Sequence, residues 1–143
     1  MITVTQKSRC AVLALAELAR RGDAGPVPIL EVSEGRGIPL HFLEQLFSGL
    51  RRAGILQSQR GVKGGYSFRR RPADVTLLEV VEAVDGPLSG RDGSAPGRRP
   101  GTGSVDAILD EARERVAEVL REVTIADVVD REARVDGAPM FYI

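Results

Sequence analysis

The chain has 143 residues, of which 43% are apolar and 28% charged, a composition that fits one globular domain and excludes a disordered or fibrous protein. It contains one cysteine and one histidine, which excludes an internal disulfide framework and a four-ligand zinc site of the cysteine type. No apolar run approaches the roughly 20 residues of a membrane helix, and no secretory signal pattern opens the sequence. We therefore expect a cytoplasmic protein that has no membrane attachment.

The formal net charge is zero, but the charges are divided unevenly along the chain. Residues 1–72 hold twelve Lys or Arg against five Asp or Glu, a net of +7, whereas residues 73–143 carry a net of −7. Clustered cations favour a polyanionic partner because they release counterions from phosphates. An ordinary solvated surface with two complementary halves would give the same totals, so the charge alone leaves both readings open.

Apolar residues at helical spacing predict three helices in the first third of the chain, at 5–21, 28–36 and 39–52. The turn at 22–26 ends the first helix, and Gly37 is expected to cap the second in a left-handed conformation. Leu43, Leu46, Phe47 and Leu50 form one apolar face of the third helix, which Ala53-Gly54 ends. The second and third helices, joined by a tight turn, predict a helix-turn-helix.

Two short strands, 55–59 and 66–69, are predicted to follow and to flank a basic, glycine-rich turn. We expect Gly61, Gly64 and Gly65 to adopt positive φ and, together with Tyr66, to form a wing that approaches DNA closely. Tyr66 and Phe68, two residues apart, share one face of this ribbon. The sequence therefore predicts a winged helix-turn-helix.

The second half is predicted to contain three helices and one loop. A capping box at Thr76 and Glu79 predicts a fourth helix that ends near Val84. Half of residues 86–103 are Gly or Pro, which predicts a mobile loop. A nineteen-residue helix follows, and Thr124 begins a short last helix that ends near Ala133.

The nineteen-residue helix carries a continuous apolar stripe on one face. Its members are Val105, Ile108, Leu109, Ala112, Val116, Val119, Leu120 and Val123. The stripe can pack on its own domain or on a twin subunit, and we favour the twin because a small winged domain has little surface to cover it. The predicted fold is mainly α with a small β-wing. Its segments are a DNA-binding domain at 1–85, a loop at 86–103, a dimerisation helix and short last helix at 104–135, and a tail at 136–143.

The candidate DNA-binding residues lie at the start of the third helix and on the wing. Residues at the N-terminus of a recognition helix face base edges, where Glu accepts from cytosine and Gln pairs with adenine. Cations on the wing suit phosphates or a narrow minor groove. The candidates are Pro39, Leu40, His41, Glu44, Gln45, Arg51, Arg60 and Lys63, whereas Phe42 is predicted at the edge of the core. One His and one Cys provide no catalytic constellation, so no enzyme activity is expected.

Several motifs together resemble the Rrf2 family of IscR-, NsrR- and CymR-type regulators. They are Lys7-Ser8-Arg9-Cys10-Ala11, Leu43-Glu44-Gln45-Leu46, Leu50-Arg51-Arg52-Ala53-Gly54-Ile55-Leu56, Arg60-Gly61-Val62-Lys63-Gly64-Gly65-Tyr66 and Arg71-Pro72-Ala73-Asp74-Val75-Thr76-Leu77. The resemblance runs over nearly the whole chain. It implies a homodimeric winged-helix transcription factor that dimerises through its long helix and reads a palindromic operator in double-stranded DNA.

The chain departs from the cluster-binding members of this family. Those members carry three closely spaced cysteines after the fourth helix, whereas residues 86–103 contain none. We therefore expect no iron–sulfur cofactor and no metal. The resemblance then points to the cysteine-free branch, which includes the CymR-type repressors of cysteine metabolism.

The last four residues, Met140-Phe141-Tyr142-Ile143, are all large and apolar. They can pack against the dimer, or an apolar terminal residue with its carboxylate can enter a pocket built for an amino acid. By the resemblance to CymR-type members, the second reading implies capture of cysteine synthase (O-acetylserine thiol-lyase) through Ile143.

Two alternatives to this function remain open: a regulator that senses a small molecule or oxidant directly, and a modulator of cysteine synthase that does not bind DNA. Cys10 is a candidate redox residue. Free cysteines are commonly buried, however, which favours a small buried hydrophobe at this position.

Overall fold

The computed structural model describes residues 5–88 and 103–137, and this part of the chain is mainly helical with one small antiparallel sheet. The helices are α1 (Gln6–Arg21), α2 (Ile29–Arg36), α3 (Leu40–Arg52), α4 (Leu77–Asp85), α5 (Gly103–Arg121) and α6 (Ile125–Asp136). Strands β1 (Leu56–Gln59) and β2 (Gly65–Phe68) lie between α3 and α4. The predicted fold class is confirmed. None of the helices described here is long and apolar enough to cross a membrane.

The turn between α2 and α3 is fixed by local hydrogen bonds. Gly37 has φ of 64°, the left-handed conformation expected of it, and its amide donates to the Ser33 carbonyl. The buried Ser33 hydroxyl donates to the Ile38 carbonyl at 2.6 Å. The short turn therefore sets the angle at which α3 leaves α2.

The main core joins the first four helices and the wing to α6. Phe47 and Leu50 of α3 are fully buried, as the predicted apolar face requires. Ile125, the first residue of α6, is buried in the same cluster, and its amide donates to the Val75 carbonyl at 2.9 Å. A complete capping box at Thr124 and Asp127 starts α6 beside this core.

Several boundaries in the second half differ from the prediction. Helix α5 has the expected nineteen residues but begins at Gly103, inside the predicted loop, and ends at Arg121. Val123 therefore lies beyond the helix, where its carbonyl accepts from Leu77. Helix α6 continues to Asp136 rather than ending near 133.

Leu88 and Glu79 also behave differently from the prediction. Leu88, which lies within the predicted mobile loop, is buried against Leu78, Val81 and Ala117 in a second cluster between α4 and α5. The Thr76 hydroxyl caps α4 as predicted, but the Glu79 carboxylate pairs with Arg70 at 3.0 Å. The rest of the predicted loop, residues 89–102, lies outside the described residues.

Glu17 is a buried carboxylate that ties three helices together. Glu17 is only 2% exposed. Its carboxylate oxygens accept hydrogen bonds from Arg21 at 2.8 Å and from Arg20 and Arg36 at 3.2 Å each. Arg36, the last residue of α2, also donates a hydrogen bond from each of its two terminal nitrogens to the Glu132 carboxylate of α6, at 2.7 and 2.8 Å. This network fixes the first helix of the helix-turn-helix against α1 and α6.

The arginines lower the pKa values of both carboxylates in this network. Burial alone would raise the pKa of Glu17, but the hydrogen bond from Arg21 and the charges of Arg20 and Arg36 outweigh burial and lower it. The bidentate bond from Arg36 lowers the pKa of Glu132. Both groups therefore stabilise the folded state while they are ionised.

Replacing Glu17 by Gln is expected to lower the free energy of unfolding near neutral pH by about 3 kcal/mol, because three arginines then surround a neutral buried group. A folded-state pKa below the ordinary value of 4.5 means that the stabilisation is present above that pH and is lost as the pH falls through the folded pKa. Urea unfolding measured across the acidic range should therefore show a weaker acid dependence in Glu17→Gln.

Glu111→Gln is the matched control, because Glu111 pairs with Arg115 at 3.3 Å on the exposed surface of α5. We expect its effect to be within about 0.5 kcal/mol. Equal small losses in the two variants would contradict a stabilising role for the Glu17 network.

Candidate DNA-binding surface

One face of α3 is polar and open to solvent. His41, Glu44, Gln45, Ser48 and Arg52 line a single shallow depression on it, at the three- and four-residue spacing of one helix face. Gln45 Nε2 lies 3.4 Å from His41 Nε2, and His41 Nδ1 lies 3.9 Å from the Glu44 carboxylate. The surface therefore presents both donors and acceptors, as the reading of base edges requires.

The other residues at the start of α3 have the positions that the sequence predicts. Pro39 is the N-cap of α3, and Leu40, its first residue, is 36% exposed. Phe42 is partly buried against the core, as predicted, and Arg51 is exposed on α3. Sequence reasoning missed Ser48 and Arg52, although the spacing from His41 and Gln45 already pointed to them.

The wing is a hairpin in which Leu56 pairs with Phe68 and Gln59 with Gly65. Arg60 and Lys63 are exposed at its turn, beside the fully exposed Val62. These cations are thus available to a partner that meets the tip of the hairpin.

The glycines of the wing have two different roles. Gly61 and Gly65 have positive φ, 114° and 151°, as expected, but Gly64 does not. A side chain at Gly64 would instead place its Cβ 2.3 Å from the carbonyl oxygen of Gln59. Glycine is needed there because the turn is tight, and not because of its backbone angle.

Tyr66 fastens the wing to the helix-turn-helix. It exchanges two backbone hydrogen bonds with Val27, the residue two before α2, at 2.8 and 2.9 Å. Its ring meets that of Phe47 on α3 edge to face, with 5.0 Å between the ring centroids. The wing and the recognition helix are therefore held as one unit.

The twelve cations of residues 1–72 fall into two groups. Five arginines form ion pairs with Glu or Asp: Arg20, Arg21, Arg36, Arg70 and Arg71. Seven form no ion pair within residues 5–88 and 103–137: Lys7, Arg9, Arg51, Arg52, Arg60, Lys63 and Arg69. Within this half of the chain, the cations that pair with no described residue thus lie mainly at the start of α1, the end of α3 and the wing.

The sequence offers few of the soft ligands that hold iron–sulfur clusters. Cys10, the only cysteine of the sequence, is half-buried in α1 and packs against the core. Across the described ranges, no group of three or more His, Cys, Asp or Glu could hold a metal ion. Residues 89–102 contain neither cysteine nor histidine.

The stripe predicted for dimerisation divides between two environments. Val105, Ile108, Leu109 and Val119 are between 45% and 66% exposed. Val116 and Leu120 pack against the second cluster between α4 and α5, and Ala112 is half-buried. The predicted partner-enzyme residues Met140, Phe141, Tyr142 and Ile143 lie outside the described residues.

Helix α3 presents a polar face, the wing is attached to it, and both carry cations that form no ion pair among the described residues. These features define a winged helix-turn-helix DNA-binding protein. The family model of Rrf2 iron-dependent transcriptional regulators matches residues 4–131. The transcriptional regulator IscR of Photorhabdus laumondii is 34% identical over 140 residues, which cover 94% of this chain and 84% of the relative. The chain belongs to the Rrf2 family of transcriptional regulators, whose members bind DNA and dimerise.

Solved structures show the same relationship. CymR (YrzC), the global cysteine regulator of B. subtilis, is 28% identical with a TM-score of 0.77, over 92% of this chain and 98% of that one. IscR of T. potens is 27% identical with a TM-score of 0.76, over 98% of this chain and 94% of that one. These relatives are regulators and not enzymes.

Proposed function

We propose that this chain is a homodimeric repressor that reads a palindromic operator with α3 and the wing. The observation that carries the proposal is the coincidence of unpaired cations with the exposed polar face of α3. Pro39, Leu40, His41, Glu44 and Gln45 would face base edges in the major groove. Arg51, Arg60 and Lys63 would meet phosphates or the minor groove beside it.

Dimerisation is proposed to occur through α5. A contiguous apolar surface of this kind usually marks an interface, and two copies of one stripe can cover each other about a two-fold axis. Val105, Ile108, Leu109 and Val119 supply the exposed part. The symmetry of such a dimer matches a palindromic operator.

Arg60→Ala is expected to weaken operator binding by about fivefold to a hundredfold, because it removes a cation inserted at the wing. Fluorescence anisotropy, with a duplex selected from random sequences by the wild-type protein, measures the change. Arg134→Ala, which removes an exposed arginine of α6, is the control and should bind like the wild type. Unchanged affinity in Arg60→Ala would contradict the role of the wing.

The regulator is further proposed to work without an iron–sulfur cluster, since one cysteine cannot supply the three thiolates of the cluster-binding members. Protein reconstituted anaerobically with iron and sulfide should show no stoichiometric cluster absorption in the visible range, and its operator affinity should not change. A stoichiometric cluster that alters operator affinity would contradict this.

The regulated pathway is proposed to be cysteine or sulfur metabolism, with cysteine synthase as the partner. Two observations support this: the likeness to the B. subtilis cysteine regulator, and the apolar tail that ends in Ile143. The isoleucine and its carboxylate would enter the amino-acid pocket of the enzyme. O-acetylserine would compete for that pocket and weaken the complex, which links its concentration to operator binding if the enzyme prefers the DNA-competent form.

Removal of Met140–Ile143 is expected to abolish binding of cysteine synthase from the same cells, and O-acetylserine should release the enzyme from the intact protein. Calorimetric titration measures both effects. Val135→Ser, which removes a 74% exposed apolar side chain of α6, is the control and should bind like the intact protein. Equal binding by the shortened and intact proteins, or binding by neither, would contradict the tail as the anchor and leave the operator assignment standing.

A further inference from the structure

A small cleft lies between α1, α3 and α4, at the edge of the recognition surface. Lys7 contributes one wall and Arg52 another, while Phe42, Leu46 and Val84 supply apolar lining. Among the described residues, no aspartate or glutamate lines the cleft, and neither cation forms an ion pair. The cleft therefore combines two cations that form no ion pair in the described structure with an apolar lining.

The first turn of α1, which carries Lys7, is held in place by Asp85. The carboxylate of Asp85, at the end of α4, accepts from the Thr5 hydroxyl at 2.7 Å and from the hydroxyl of Ser8. Ser8 is fully buried, so Thr5 and Ser8, which lie on either side of Lys7, are both anchored. The backbone of Lys7 is thereby fixed beside α3 before any ligand arrives.

The size of the cleft limits what it can hold. Its volume is about 130 Å³. Pockets for whole metabolites or drug-sized ligands measure roughly 300–1,000 Å³. A single anionic group that belongs to a larger molecule fits this space better than a free metabolite does.

The cleft is continuous with the face of α3 already assigned to DNA. Gln45 and Arg52 line both the cleft and the depression that contains His41 and Glu44. A duplex lying against that depression would bring its backbone to the rim of the cleft. The anion that satisfies charge, size and position is a phosphate of the bound strand.

We propose that Lys7 and Arg52 bind one backbone phosphate of the operator, so that α1 contributes to the DNA interface from outside the helix-turn-helix. This inference rests on the proposed function and extends it to a site beyond α3 and the wing. The contact positions the protein on the duplex and carries no sequence preference of its own.

Lys7→Gln is expected to weaken binding to the operator and to unrelated duplex by the same factor. It should also reduce the slope of log affinity against log salt by up to about 2 per dimer, one phosphate in each protomer, because Arg52 alone neutralises the phosphate only in part. Between low and fourfold higher salt, the variant then loses up to about tenfold less affinity than the wild type. Fluorescence anisotropy over a salt series, with melting temperature as a check on folding, measures these quantities.

Arg9→Gln is the matched control, because Arg9 is also an exposed, unpaired cation of α1 but lies on the opposite side of the helix and does not line the cleft. Its slope should match that of the wild type. Since Lys7 and Arg52 share one phosphate, their single substitutions to Gln should also be non-additive in the double variant.

An unchanged slope in Lys7→Gln, or an equal change in Arg9→Gln, overturns the phosphate site while wild-type operator binding keeps the proposed function intact. Strict additivity of the Lys7 and Arg52 substitutions overturns the shared phosphate. Failure of the wild-type protein to bind any duplex contradicts the proposed function itself.

Discussion

The placement of the helix-turn-helix depends on the hydrogen bonds between the buried Glu17 carboxylate and three arginines. The carboxylate draws Arg20 and Arg21 of α1 and Arg36 of α2 together, and Arg36 reaches on to Glu132 of α6. Gly35 makes room for this, because a Cβ there would lie 3.0 Å from the Arg21 guanidinium and 3.3 Å from the Glu17 carboxyl carbon. Since α2 and α3 share a rigid turn, whatever fixes α2 also fixes the recognition helix.

The same network separates two uses of positive charge. Arg20, Arg21 and Arg36 are bound to the buried Glu17 carboxylate and serve the fold. Among residues 1–72, the cations that form no ion pair with the described residues lie mainly on α1, α3 and the wing. Tyr66 couples the wing to Val27, which precedes α2, and to Phe47 of α3. A polyanion that contacts both the wing and α3 therefore meets one preorganised surface, which lowers the entropy cost of ordering the protein on binding.

The local features of this fold could be predicted from the sequence because they depend on near neighbours. The apolar face of α3, the left-handed Gly37 and the caps at Thr76 and Thr124 are all set by residues within a turn of each other. The family motifs around Arg60 and Glu44 likewise located the candidate DNA-binding surface.

What could not be predicted depends on residues far apart in the chain. Arg36 and Glu132 are 96 positions apart, and no spacing pattern pairs them. The Gly- and Pro-rich composition around Leu88 predicts a loop, but α5 supplies the apolar partner that buries this side chain. Lys7 reaches the recognition surface only because α1 packs beside α3, so its role has no signal in the linear motif.

Hydroxyl-radical footprinting of an operator duplex selected by the protein, at measured stoichiometry, tests most directly whether a dimer reads DNA with α3 and the wing. Two protomers should protect two symmetric backbone segments whose centres lie about one helical turn, 10–10.5 base pairs, or a multiple of it apart. A single asymmetric protected segment at one protomer per duplex would contradict dimeric recognition of a palindrome.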